Sequence, residues 1–157
     1  MRSASVNLKL PGWWAGPPSP EALDEGFFAR PAQEMAPDLL GTRLVSAVDG
    51  RKAEGVIVEV EAYIGESDPA CHAASGLTER NSVLYGPPGR AYVYLNYGIH
   101  CLVNAVTEPE GAPAAVLIRA LEPRDGHRLV VAVLVRDADA PAAQRGARIL
   151  GMDQHIA

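Results

Sequence analysis

The sequence predicts an α+β protein: one domain with a curved, mainly antiparallel β-sheet, open and barrel-like, with helices packed around it. Three observations carry this. Segments of period-two alternation recur without regular crossover helices between them, which favours antiparallel neighbours. The pair Asp49-Gly50, a favoured tight turn, joins two such segments as a hairpin. The length of 157 residues is enough for one domain around a single core.

Taken in order, residues 1–20 are rich in Pro and Gly, carry Trp13 and Trp14, and read as an extended N-terminal arm. The domain is expected over 21–157. Ser19-Pro20-Glu21 has helix-start chemistry (a hydroxyl cap, Pro at the first helical position, an early acid), predicting a short helix through Asp24. Pro31 opens a second helix expected to stop at Gly41, with Pro37 kinking or shortening it. Strands are expected at 42–48 and 53–63. In the second, Val56, Val58, Val60, Ala62 and Ile64 fall on one face, and Ile57, Glu59, Glu61 and Tyr63 on the other. Residues 65–89 read as loop, broken by Gly86-Pro87-Pro88-Gly89. Strands follow at 90–96, 99–106 and 114–121, with a Tyr97-Gly98 turn between the first two; a strand at 129–135 and a helix at 142–150 complete the reading.

Composition narrows the function classes. Hydrophobic residues at 48% and charged residues at 21% fit a soluble globular chain, and no apolar run approaches a membrane span. Prolines and glycines interrupt the N-terminus, so a secretory leader is not expected and a cytoplasmic location is. Cys71 and Cys101 are too few for a disulfide framework. The net charge of −5 lacks the basic surplus of a protein that grips nucleic acid by phosphate neutralisation. Arg80, Arg90 and His100 lie in a stretch from Arg80 to Thr107 free of Asp and Glu, which permits such binding without arguing for it.

Three clusters could carry chemistry. Glu59 and Glu61 share a strand face with carboxylates about 7 Å apart, from the strand rise. That separation overlaps an inverting glycosidase pair, although carboxylates on a strand are more often solvated surface charge. Tyr63, Tyr85, Tyr92, Tyr94 and Tyr97 suit either sheet packing or a base-stacking pocket. Cys71-His72 and His100-Cys101 lack zinc-site spacing, and no metal is expected.

Four stretches resemble the 3-methyladenine (alkylpurine) DNA glycosylases of base excision repair: Phe27-Phe28-Ala29-Arg30-Pro31 with Asp38-Leu39-Leu40-Gly41, VEVEAYIGESDPACHA at 58–73, GPPGRAYVYLNYGIHCLVN at 86–104, and AAVLIRALEP at 114–123. They occur in the family's order, and the resemblance covers 27–123. It implies an enzyme that flips an alkylated or deaminated purine out of double-stranded DNA and hydrolyses its N-glycosidic bond, as a monomer without cofactor. Glu61 matches the base that deprotonates the attacking water, and Arg119 the arginine that helps hold that water. Tyr63 and Tyr94 match the aromatic pair that sandwiches the base, and His72 the residue at its edge. Asn104 matches the residue that crowds the 2-amino group of normal guanine. Tyr97 matches the side chain that enters the minor groove and fills the vacated stack. Glu59 has no matching role and is read as structural. Lys9 and Lys52 are the only lysines and neither falls in a motif, so a Schiff-base lyase step is not expected.

Residues 124–145 follow the family pattern poorly, and Leu150-Gly151-Met152-Asp153 resembles a later family stretch. The domain is therefore expected to be truncated at its C-terminal part, the alternative function being a catalytically impaired DNA-binding remnant.

Overall fold

The computed structural model describes residues 22–48, 51–97, 100–125 and 152–153. The expected N-terminal arm, the strand at 129–135, the helix at 142–150 and the turn residues Asp49, Gly50 and Gly98 lie outside the described residues. Two short helices, α1 (Glu25–Phe28) and α2 (Ala32–Leu39), precede the strands β1 (Arg43–Val48), β2 (Arg51–Tyr63), β3 (Ala91–Asn96), β4 (His100–Thr107), β5 (Ala114–Asp125) and β6 (Met152–Asp153). All strand pairs are antiparallel and form one open sheet in the order β3-β4-β5-β2-β1-β6. The α+β expectation holds. Among the described residues no helix is long and apolar enough to cross a membrane.

Both helices differ from expectation in their limits. Asp24 does not end the first helix but caps it, its carboxylate accepting from the Phe27 N–H at 2.9 Å. In α2, Pro31 is the cap and Pro37 lies inside the last turn. Pro37 lacks the N–H that would bond the Gln33 carbonyl, and the helix ends two residues later, the chain turning extended at Leu40, short of Gly41. Thr42 then closes the turn, its hydroxyl donating to the Leu39 carbonyl at 2.7 Å. Met35 and Leu39 are fully buried against β2 and β5.

The hairpin of β1 and β2 forms as the alternation predicts, from Arg43 opposite Val56 to Val48 opposite Arg51. The β2 core face does not follow strict alternation. Ile57 is 0% exposed and joins Val60 in the core under the helices, whereas Val58 is 52% exposed. The reason is a paired irregularity in the β2–β5 ladder. Ile57 stands opposite Leu121, Glu59 opposite Ala120 and Val60 opposite Ile118, so Val58 and Arg119 have no cross-strand partner. Both strands change phase at that point: Ile57 and Val60 on β2, and Leu121 and Ile118 on β5, all turn to the helix-covered face. Such bulges re-aim side chains beside functional sites.

The sheet is covered on both faces. One packs on α1 and α2 through Ala91, Val93, Val103, Ala105, Val116 and Ile118. The other carries Tyr92, Val106 and Ala115 and is roofed by the 64–90 loop, which contributes Cys71, Ala73 and Leu84. Gly89 closes that loop at φ +76 with Phe28 Cδ2 only 3.2 Å from where a Cβ would stand, so a side chain there meets both strain and α1.

Candidate functional site

The ladder places the predicted residues on the roofed face. Tyr92 on β3 stands opposite Asn104 on β4, Asn104 opposite Leu117 on β5, and Leu117 opposite Glu61 on β2. In antiparallel pairs, opposed residues point to the same side, so this row carries Glu61 to the pocket face. The next row on that face puts Tyr63 opposite Ala115 and Ala115 opposite Val106. A pocket of about 290 Å³, open to solvent, is lined by Tyr63, His72, Tyr94 and Asn104 together with Cys71 and Tyr92. Tyr63 and Tyr94 stand on strands separated by two others, so Asn104 and Ala115 lie between them.

Glu61 is held at both oxygens. The Tyr63 hydroxyl donates to Oε2 at 2.7 Å, and Arg119 Nε lies 3.4 Å from Oε1. Arg119 also reaches Glu59 Oε1 at 3.8 Å, so the two carboxylates share one guanidinium. These groups are half-exposed, and the ion pairs fix geometry more than they stabilise the fold. Arg119 can lean toward both acids because it sits at the unpaired position of β5. Burial, then the hydrogen bond to Glu61, push the Tyr63 phenol up to about 12. It therefore remains a donor to the carboxylate through the physiological range.

His72 leans on Tyr94, ring centroids 4.3 Å apart and planes at 53°, and its Nδ1 shares a 2.9 Å hydrogen bond with the Tyr92 hydroxyl. Asn104 is buried, and its Nδ2 donates to the Tyr92 carbonyl at 3.1 Å. Burial raises the Tyr94 phenol. Burial, then the nearby Arg80 guanidinium, lower the His72 pKa below its ordinary 6.5. Between 6.5 and the lowered folded value, the unfolded chain binds the proton and the folded chain resists it. This group's contribution to stability therefore rises with pH across that window. We expect His72, followed by NMR, to titrate below 6.5, and Arg80→Ala to move it partway back. A midpoint of 6.5 or above in the unmutated chain contradicts the packing described.

Tyr97 is set apart from this cluster. It is 88% exposed at the β3–β4 turn and adopts φ +51, a left-handed conformation that few non-glycine residues take. Of the predicted residues, then, Tyr63, His72, Tyr94 and Asn104 meet around the pocket, Glu61 and Arg119 pair beside Tyr63, and Tyr97 is exposed at the β3–β4 turn. Sequence reasoning left Tyr92 open between sheet packing and base stacking; in the structure it lies on the roofed face, with its hydroxyl at His72. Cys71 was available from its adjacency to His72. The side chains of His100 and Cys101 lie outside the described residues.

Comparison with known proteins identifies the family. The family model for Methylpurine-DNA glycosylase matches residues 26–148, well over half of the chain. A protein from Myxococcus xanthus is 58% identical over 104 residues, 66% of this chain and 54% of its own. One from Methanocella arvoryzae is 53% identical over 108 residues, 69% of this chain and 54% of its own. One from Rhodopseudomonas palustris is 52% identical over 126 residues, 80% of this chain and 58% of its own. All three carry the provisional name 3-methyladenine DNA glycosylase. The chain thus spans little more than half the length of the relatives it matches. With the family match running across all four motifs, the chain belongs to the methylpurine-DNA glycosylase family.

Proposed function

We propose that this chain is a DNA N-glycosylase that releases alkylated or deaminated purines, of the 3-methyladenine, 7-methylguanine and hypoxanthine class, from double-stranded DNA. The observation that carries this is the Glu61 carboxylate, held by Arg119 and Tyr63 in the same cross-strand row as Asn104 in the pocket. An extruded base enters between Tyr63 and Tyr94, whose rings offer stacking surfaces to any purine. His72 meets its edge, and Asn104 narrows the space against the 2-amino group of guanine.

The reaction is a hydrolysis. The bond between C1′ and the purine nitrogen breaks, its electron pair leaving with the base, and C1′ takes on oxocarbenium character. Glu61 accepts a proton from water as the water oxygen bonds to C1′, and its charge stabilises the sugar cation. Arg119 holds the water and the carboxylate in line. A purine alkylated at N3 or N7 is cationic, so it departs as a neutral molecule and needs no acid; hypoxanthine departs as an anion that takes a proton from solvent, and in both cases Glu61 returns its own proton to solvent. Electron-rich tyrosine faces favour such a cation over a neutral normal base. A neutral His72, its pKa lowered, does not repel it.

Single-turnover release of 3-methyladenine or hypoxanthine from duplex DNA, run beside a binding assay, tests this reading. We expect free base and an abasic product from the duplex, and none from free nucleosides. Binding without release, or release from nucleosides alone, overturns it.

A further inference from the structure

Asn81 has no part in the chemistry described above, yet it is 2% exposed and its side chain makes three hydrogen bonds. Its Nδ2 donates to the carbonyls of His72 and Gly76, each at 2.9 Å, and its Oδ1 accepts from the Thr78 N–H at 2.6 Å. Its own carbonyl accepts from the Leu84 N–H at 2.9 Å, opening the 3-10 turn Ser82–Tyr85. Its chain neighbour Arg80 places its guanidinium carbon 6.0 Å from the Tyr94 ring centroid. We propose that Asn81 is a positioning residue of the pocket, its buried amide tying the His72 backbone to the segment that carries Arg80 and Leu84.

The physical need is specific. The 64–90 loop roofs the pocket with little regular structure, so few backbone ladders hold it. Turn bonds from Cys71 to Asp68, Ala74 to Cys71 and Gly76 to Ala73 hold the His72 segment within itself, but none of them joins it to the Arg80–Leu84 segment. Asn81 makes that join. Only a planar amide supplies two donors and an acceptor over so short a side chain; a carboxylate offers acceptors alone, and a hydroxyl one donor. The His72 ring is thus fixed from two directions, through its carbonyl by Asn81 and through Nδ1 by Tyr92. Fixing the ring edge matters because catalysis is sensitive to small misplacements of the bound base.

The test uses Asn81→Asp, which keeps the acceptor for Thr78 but turns carboxylate oxygens on the His72 and Gly76 carbonyls. In the unmutated chain we expect the His72 ring resonances to carry a ring-current shift from Tyr94, 4.3 Å away between centroids, and the Asn81 side-chain amide protons to exchange slowly. In the variant, we expect the His72 ring-current shift to fall at least twofold and its titration to move toward 6.5. Hydrogen exchange in β4 and β5 stays unchanged. Resting on the glycosylase reading, single-turnover base release falls about 10²-fold. A folded variant with unaltered His72 shifts and titration overturns the proposal. If the unmutated chain releases no base, the glycosylase reading fails while the His72 measurements still decide positioning. Should the variant not fold, the exchange of the Asn81 amide protons in the unmutated chain decides: protection supports the proposal and solvent-like exchange overturns it.

Discussion

Glu61→Gln should reduce single-turnover base release by about 10³-fold, the scale on which general-base catalysis acts, and leave lesion-DNA affinity within about threefold. Gln preserves the length and shape of Glu61. Its carbonyl oxygen can still accept the Tyr63 hydroxyl, which now bonds Oε2 at 2.7 Å. What it cannot do is take a proton from water or place a negative charge beside the sugar cation. The lost ion pair with Arg119, at 3.4 Å between half-exposed groups, belongs to a class that contributes roughly 0–1 kcal/mol, so the fold is expected to survive. A variant that unfolds at the same urea concentration and binds the lesion, but releases no base, isolates the chemical step. Undiminished release by a well-folded Glu61→Gln protein removes Glu61 as the base.

Tyr97→Ala should lower excision from duplex DNA by about 30- to 100-fold while changing excision from single-stranded DNA little. Extruding a paired base costs a few kcal/mol of stacking and pairing, and an aromatic wedge offsets part of it. A loss near 2–3 kcal/mol corresponds to that range, at 1.4 kcal/mol per factor of ten. A large aromatic ring is left 88% exposed, on a backbone at φ +51 that costs roughly 1–2 kcal/mol for a non-glycine residue. The fold gains nothing from this residue, and Ala should leave stability within about 0.5 kcal/mol. Equal losses on both substrates would show that Tyr97 does not act on the stacked duplex.

Much of the fold and the site is legible in the chain itself. Alternation along β2 puts Glu59, Glu61 and Tyr63 on one face, and they lie there with Glu61 and Tyr63 hydrogen-bonded. Asp49-Gly50 locates the β1–β2 hairpin, whose register from Arg43–Val56 to Val48–Arg51 leaves those two residues as its connection. The motif resemblance names residues that the strand ladders gather around one pocket. Other features are illegible for identifiable reasons. The exposure of Val58 depends on a distortion shared by β2 and β5, and strict alternation along either strand cannot reveal a mismatch between them. Tyr92 reads as sheet packing or base stacking alike until its hydroxyl is seen at His72, 20 positions away. Asn81 lies in a polar loop where an amide attracts no notice, because its importance comes from which carbonyls the folded loop turns toward it.

The sequence by itself determined the family, the antiparallel sheet and that Glu59, Glu61 and Tyr63 share a strand face, because motif order and period-two alternation are properties of the chain alone. Only the tertiary structure decided that Arg119 stands between Glu59 and Glu61, that Tyr63 secures the second oxygen of Glu61, and that Asn81 joins two segments of the pocket roof. Those facts depend on strand register and loop closure, where a displacement of one residue moves a side chain to the opposite face of the sheet.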